Sequence, residues 1–223
     1  MIHYLLPILA VVLGFIFVTV FKLRNKQHMK LLLAFSGAFL LAITVFNLLP
    51  NVFNEYKSRY GIFVMAGILL QVFLEFFSKG AEHGHVHISK DRTAFPWLLF
   101  ISLSIHAVLE GFPMHHHDHL VWGIVMHKVP IAIILTTFFY ESKMSNTSIL
   151  IFLVLFALMT PLGSFLSEQL PFLEAYQNEI SALVIGIFLH ISTTILFESS
   201  EGHKFNLTKL LVIISATVLA YFI

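Results

Sequence analysis

Apolar runs of about twenty residues, each the span of a bilayer hydrocarbon core, recur along this chain between short polar or charged breaks. They cover residues 2–21, 29–53, 61–77, 94–113, 120–140, 148–167, 180–197 and 207–223. In hydrocarbon every backbone N–H and C=O must be bonded within its own segment, so each run predicts a helix. The expected fold is all-α: a polytopic integral membrane protein of eight transmembrane helices in a single domain, residues 1–223. No internal repeat stands out residue by residue.

The punctuation sets the orientation. With the N-terminus outside, the inner loops carry Lys22, Arg24, Lys26 and Lys30; Lys79, Lys90 and Arg92; Lys143; and Lys204 and Lys209. The outer loops carry only Lys57 and Arg59. This excess of basic residues on one side places it in the cytoplasm and both termini outside. Losing or adding one helix would scramble the distribution, so it also supports the count of eight. Loops are short, and residues 78–93 form a histidine-containing cytoplasmic loop.

Composition narrows the class. Of 223 residues, 58% are hydrophobic and 11% charged, too greasy for a soluble domain of this size to cover its apolar surface. There is no cysteine, which excludes disulfides and thiolate metal sites. A net charge of +1 gives no sign of a nucleic-acid partner. No basic n-region precedes the first run, so it is expected to be a retained helix rather than a signal peptide. Thirteen histidines match thirteen Lys plus Arg, an unusual balance whose placement carries the chemistry.

Four ionisable residues fall inside two consecutive apolar runs where charge is expensive: His106 and Glu110 in the fourth, His127 and Lys128 in the fifth. His106 and Glu110 are four apart and share a helix face. Each histidine is seven residues from the outer edge of its run, placing both about 10 Å deep on adjacent antiparallel helices. Two imidazoles and a carboxylate at one level make a three-ligand N/O set suited to Zn²⁺ and tolerable for Fe²⁺ or Mn²⁺. Ser102 and Thr136 are weaker candidates to complete the coordination. Lys128 cannot ligate while protonated, but it balances Glu110 and repels a second cation. Gly111, Pro113 and Pro130 are expected to interrupt the two helices beside the site. The plainer reading makes Glu110 and Lys128 a helix-orienting ion pair with the histidines as hydrogen-bonded packing residues. It gives no reason for two imidazoles at one depth.

These segments resemble the ZIP family of divalent-metal transporters over essentially the whole chain. The resemblance rests on His106, Glu110 and Gly111 in the fourth run and on His127-Lys128-Val129-Pro130-Ile131 in the fifth. It also rests on Ser36-Gly37 followed by Asn47-Leu48-Leu49-Pro50-Asn51 in the second, and on a histidine-rich loop with His83, His85 and His87. It implies passive or proton-influenced movement of Zn²⁺, or of Fe²⁺, Mn²⁺ or Cd²⁺, toward the cytoplasm. It further implies two three-helix bundles, helices one to three and six to eight, around helices four and five, and frequent homodimerisation. The departures point to one metal instead of a bridged pair. Ala107 stands where a polar ligand is expected, Lys128 where an acid is, Ile131 where a second ligand is, and Asn47 and Asn51 replace His and Glu. The Lys128 ammonium then takes the place of the second cation.

Histidines also gather in loops. His115, His116, His117, Asp118 and His119 sit at the expected outer mouth and are candidates for metal capture. His83, His85 and His87 are candidates for an inner exit or sensing role, no more favoured than a plain solvated loop. Glu75 lines the exit or, preferentially, snorkels to the interface. Glu198, Glu201 and His203 form a weaker exit candidate, and His190 reads as a hydrogen-bonded packing residue. The rival functions are an intramembrane zinc hydrolase and a slow or nonconducting metal sensor. Hydrolysis would need a free general base, and no second carboxylate lies at that depth; the His-Glu-x-x-His pattern is absent too. Six-helix cation exporters with a cytoplasmic domain do not match this chain, and a scaffold would leave the buried charges without a role. The chain is not expected to be an enzyme. Its compact loops favour a bacterial plasma membrane.

Overall fold

A computed structural model describes residues 1–21, 26–54, 57–81, 94–115, 117–198 and 207–223, the side chains of 26, 27 and 198 excepted. The described chain is helical, with no strand. Helix α1 is Ile2–Phe21; α2 is Lys26–Ile43, continued by a π-helical turn Thr44–Leu48 and by Leu49–Phe53. Then come α3 (Arg59–Ser78), α4 (Trp97–Gly111, ending in a 3-10 turn Phe112–His115), α5 (Asp118–Glu141) and α6 (Asn146–Gln169). A single turn at Pro171–Glu174 leads to α7 (Gln177–Glu198), and α8 is Leu207–Tyr221.

Seven helices among the described residues are long and apolar enough to cross a membrane; α8 is apolar but has 15 residues. Their outward faces carry Leu5, Leu9, Leu13, Ile62, Leu69 and Phe73, all exposed. In water such a surface would be a liability; in lipid it is the solvated face. The protein is a multi-pass integral membrane protein.

Packing divides the helices differently from the two three-helix bundles expected. α1 packs on α5 and α6, and α4 on α6; α3 packs on α7, and α2 on α7 and α8. Contacts of α2 with α5 and of α3 with α4 join the two groups. The buried apolar residues follow this division. One cluster takes Val11, Leu103, Ile131, Phe139 and Phe152 from α1, α4, α5 and α6. The other takes Phe39, Ile43, Tyr60, Phe188 and Ala216 from α2, α3, α7 and α8, plus Leu120, Val121, Ile124 and Ile134 of α5.

Glycine explains which helices pair. A Cβ on Gly67 of α3 would lie 1.9 Å from the Leu183 carbonyl oxygen, and one on Gly186 of α7 would lie 2.0 Å from that of Val64. Gly111 and Gly163 repeat this reciprocal contact between α4 and α6, at 2.2 Å from Thr160 O and 1.9 Å from Val108 O. Without hydrophobic drive between helices in lipid, backbone approach at small residues supplies the van der Waals contact that holds them. The first pair is also laced by polar bonds: Arg59 to Glu179, and Asn178 Nδ2 donating to Tyr60 Oη at 3.2 Å.

Two expected interruptions are not found. α5 runs unbroken through Pro130, since the carbonyl that proline leaves unbonded can be satisfied by its neighbours inside a bundle. Gly111 serves close packing on α6, and the departure from α-helix comes only after it, at Phe112.

Candidate metal site at the α4–α5 crossing

His106, Glu110, His127 and Lys128 meet where α4 and α5 face each other, at 3%, 0%, 2% and 2% exposure. Glu110 is the centre. Its Oε1 receives the Lys128 ammonium and the Thr160 hydroxyl, which donates from α6 at 2.6 Å. Its Oε2 lies 3.4 Å from His106 Nε2, one helical turn back. The His106 and His127 rings stand edge to face, 6.2 Å between centroids and 83° between planes. On the far side the Lys128 ammonium sits over the Phe156 ring, 4.6 Å from its centroid, a cation–π contact strengthened by the dry surroundings.

Adjacent positions on α5 divide the work. His127 and Lys128 are about 100° apart on the helix, so the imidazole meets His106 while the ammonium reaches Glu110 and α6. The Gly111–Gly163 crossing places Thr160 within bonding distance of Glu110. Thr160 was not foreseen from the sequence. Its signal was a Thr-Pro-x-Gly sequence, Thr160 to Gly163, inside an apolar run.

Oε1 is thus engaged by two donors, whereas Oε2 and His106 Nδ1 are buried with no hydrogen-bond partner among the described residues. A buried carboxylate oxygen normally finds a donor. The Oε2–Nε2 separation of 3.4 Å is close to the roughly 3.3 Å between two ligand atoms on a tetrahedral zinc with bonds of about 2.0 Å. Two imidazoles on one such ion would have centroids roughly 5 Å apart, so His127 stands about 1 Å too far from His106. Among the described residues no three His, Asp or Glu side chains are already arranged to hold a metal ion.

Other sequence candidates are placed as follows. Ser102 donates to Leu74 O on α3 at 2.6 Å, and Thr136 back to Ala132 O at 2.6 Å. Both hydroxyls are engaged away from the site, a correction to their candidacy as ligands. Glu75 pairs with His190, its Oε2 2.6 Å from Nε2. His190 is therefore a hydrogen-bonded residue between α3 and α7, and the preferred snorkelling reading of Glu75 gives way to an interhelical partner. The described members of the histidine run face different neighbours. His115 and Asp118 turn toward His3 of α1, His117 Nδ1 lies 3.4 Å from Asn51 Nδ2 of α2, and His119 is exposed. His83, His85, His87, His116, Glu201 and His203, and the Glu198 side chain, lie outside the described residues.

No protein-family model and no curated protein matches the chain.

Proposed function

We propose that this protein is a ZIP-like transporter of a divalent metal, zinc first among the candidates, which it moves toward the cytoplasm through one membrane-buried site. His106, Glu110 and His127 are the ligands, and Lys128 stands where a second cation would otherwise sit. The topology in this reading has eight spans with both ends outside, in a bacterial plasma membrane.

One observation carries the proposal: a fully buried carboxylate flanked by two imidazoles, with one oxygen held by Lys128 and Thr160 and the other facing His106 Nε2 at 3.4 Å. An ion pair alone has no use for the histidines. A cation on Oε2 and the two imidazoles, by contrast, shares Glu110 with Lys128 and needs only a small approach of α5 to α4. Hydrolysis fares worse. The other buried acid among the described residues, Glu179, is bonded to Arg59 at the outer end of α7, so no carboxylate is free to act as base beside the site.

Zinc uptake into proteoliposomes should fall to background in Glu110→Ala and at least ~10-fold in His127→Ala, the scale on which ligand-shell changes act. Normal flux in both variants would remove the proposal. Anomalous scattering at the zinc edge should give a single intramembrane peak, because the Lys128 charge excludes a neighbour. The combined change Lys128→Asp with Ala107→Asn should add a second peak about 4 Å away. Two peaks in the parent protein would contradict the role given to Lys128.

A further inference from the structure

Above the buried site, at the outer end of the bundle, three side chains from three elements come together: His3 near the start of α1, His115 at the end of the 3-10 turn, and Asp118 at the start of α5. His3 Nε2 is 3.8 Å from Asp118 Oδ1. The His3 and His115 rings are 6.0 Å apart at 71°, close to the arrangement of His106 and His127 below. His3 is largely covered, its side chain 17% exposed, whereas Asp118 is 88% exposed. Its Nδ1 is buried with no hydrogen-bond partner among the described residues.

We infer that His3, His115 and Asp118 form a second, outward-facing site for a divalent cation of the zinc type, separate from the membrane site. The donor set is again two imidazoles and a carboxylate, the N/O combination that Zn²⁺ accepts in tetrahedral geometry. His3 supplies the fixed ligand, since the α1–α5 packing holds its helix. A Cβ on Gly14 of α1 would lie 2.6 Å from the Ala132 Cβ of α5, which shows how close that packing is. His115 and Asp118 are exposed, and exposed side chains change rotamer within nanoseconds, so both can reorient toward an ion beside His3. Tyr4, next to His3, bonds Glu168 of α6, so a second carboxylate lies beside this mouth and favours cations there. The chemistry belongs to His3 as much as to the histidine-rich run, and only the fold brings the two together.

The test uses the full chain in detergent with the membrane site disabled by Glu110→Gln/Lys128→Met, a change that removes the buried ion pair as a unit. Zn²⁺ binding to this protein, followed by equilibrium dialysis, should retain one site. Adding His3→Ala, or separately Asp118→Asn, should weaken that site at least ~10-fold. His28→Ala, an exposed histidine at the start of α2, should leave it within twofold. Loss of zinc binding in the disabled protein, or affinity unchanged by both His3→Ala and Asp118→Asn, overturns the inference. Zinc bound by the parent only at the His3–His115–Asp118 site would sustain it while removing the transport reading.

Discussion

Replacing Lys128 by methionine is expected to destabilise the protein by about 3–5 kcal/mol, the cost of leaving one member of a buried ion pair without its partner. The substitution keeps the volume of the stem but removes the ammonium from Glu110 and from the face of Phe156. Glu110 is fully buried and would keep only the Thr160 hydroxyl on Oε1. The double variant Glu110→Gln/Lys128→Met should recover most of the loss, because apolar or neutral replacement of both members is tolerated where removal of one is not. Thermal unfolding in detergent, read as a cycle over the two single variants and the double, measures the coupling. Additive effects would mean the two charges do not interact as the structure has them.

The second large effect is expected at the glycine crossings. Gly163→Ala and Gly186→Ala each place a methyl about where a facing carbonyl oxygen already sits, at 1.9 Å and 2.0 Å. Neither obstacle is the tip of a flexible side chain, so a whole helix must move. Overpacking of this kind costs typically 1–3 kcal/mol and sometimes more. Gly61→Ala is the internal comparison, since nothing lies within 4 Å of its added Cβ; it should be neutral or slightly stabilising through helix propensity. Gly163→Ala should also disturb the buried ion pair, because moving α6 withdraws Thr160 from Glu110, whereas Gly186→Ala should act on stability alone. Wild-type unfolding temperatures for both variants would show that the crossings are looser than described.

Helix existence and the buried quartet were legible in the sequence because both rest on strong local signals. A run of apolar residues forces a helix in lipid, and an i, i+4 pair of His106 and Glu110 fixes one face whatever the tertiary structure. Helix partners were not legible. They depend on where glycines face one another, and Gly67 with Gly186, or Gly111 with Gly163, are far apart in sequence. For the same reason Thr160 and His3 were missed: each acquires its role from a neighbour on another helix. Pro130 misled through a rule for isolated helices, where a missing amide hydrogen bond matters more than it does inside a bundle.

The π-helical turn at Thr44–Leu48 has a consequence for the helix beyond it. Such a turn is the trace of one extra residue in an otherwise regular helix, frequently at a functional site, and it rotates everything downstream by about 100° relative to an uninterrupted helix. Asn51, beyond the turn, lies 3.4 Å from His117 Nδ1. The C-terminal end of α2 is thus phased differently from its N-terminal end, so the two halves of one helix answer to different neighbours.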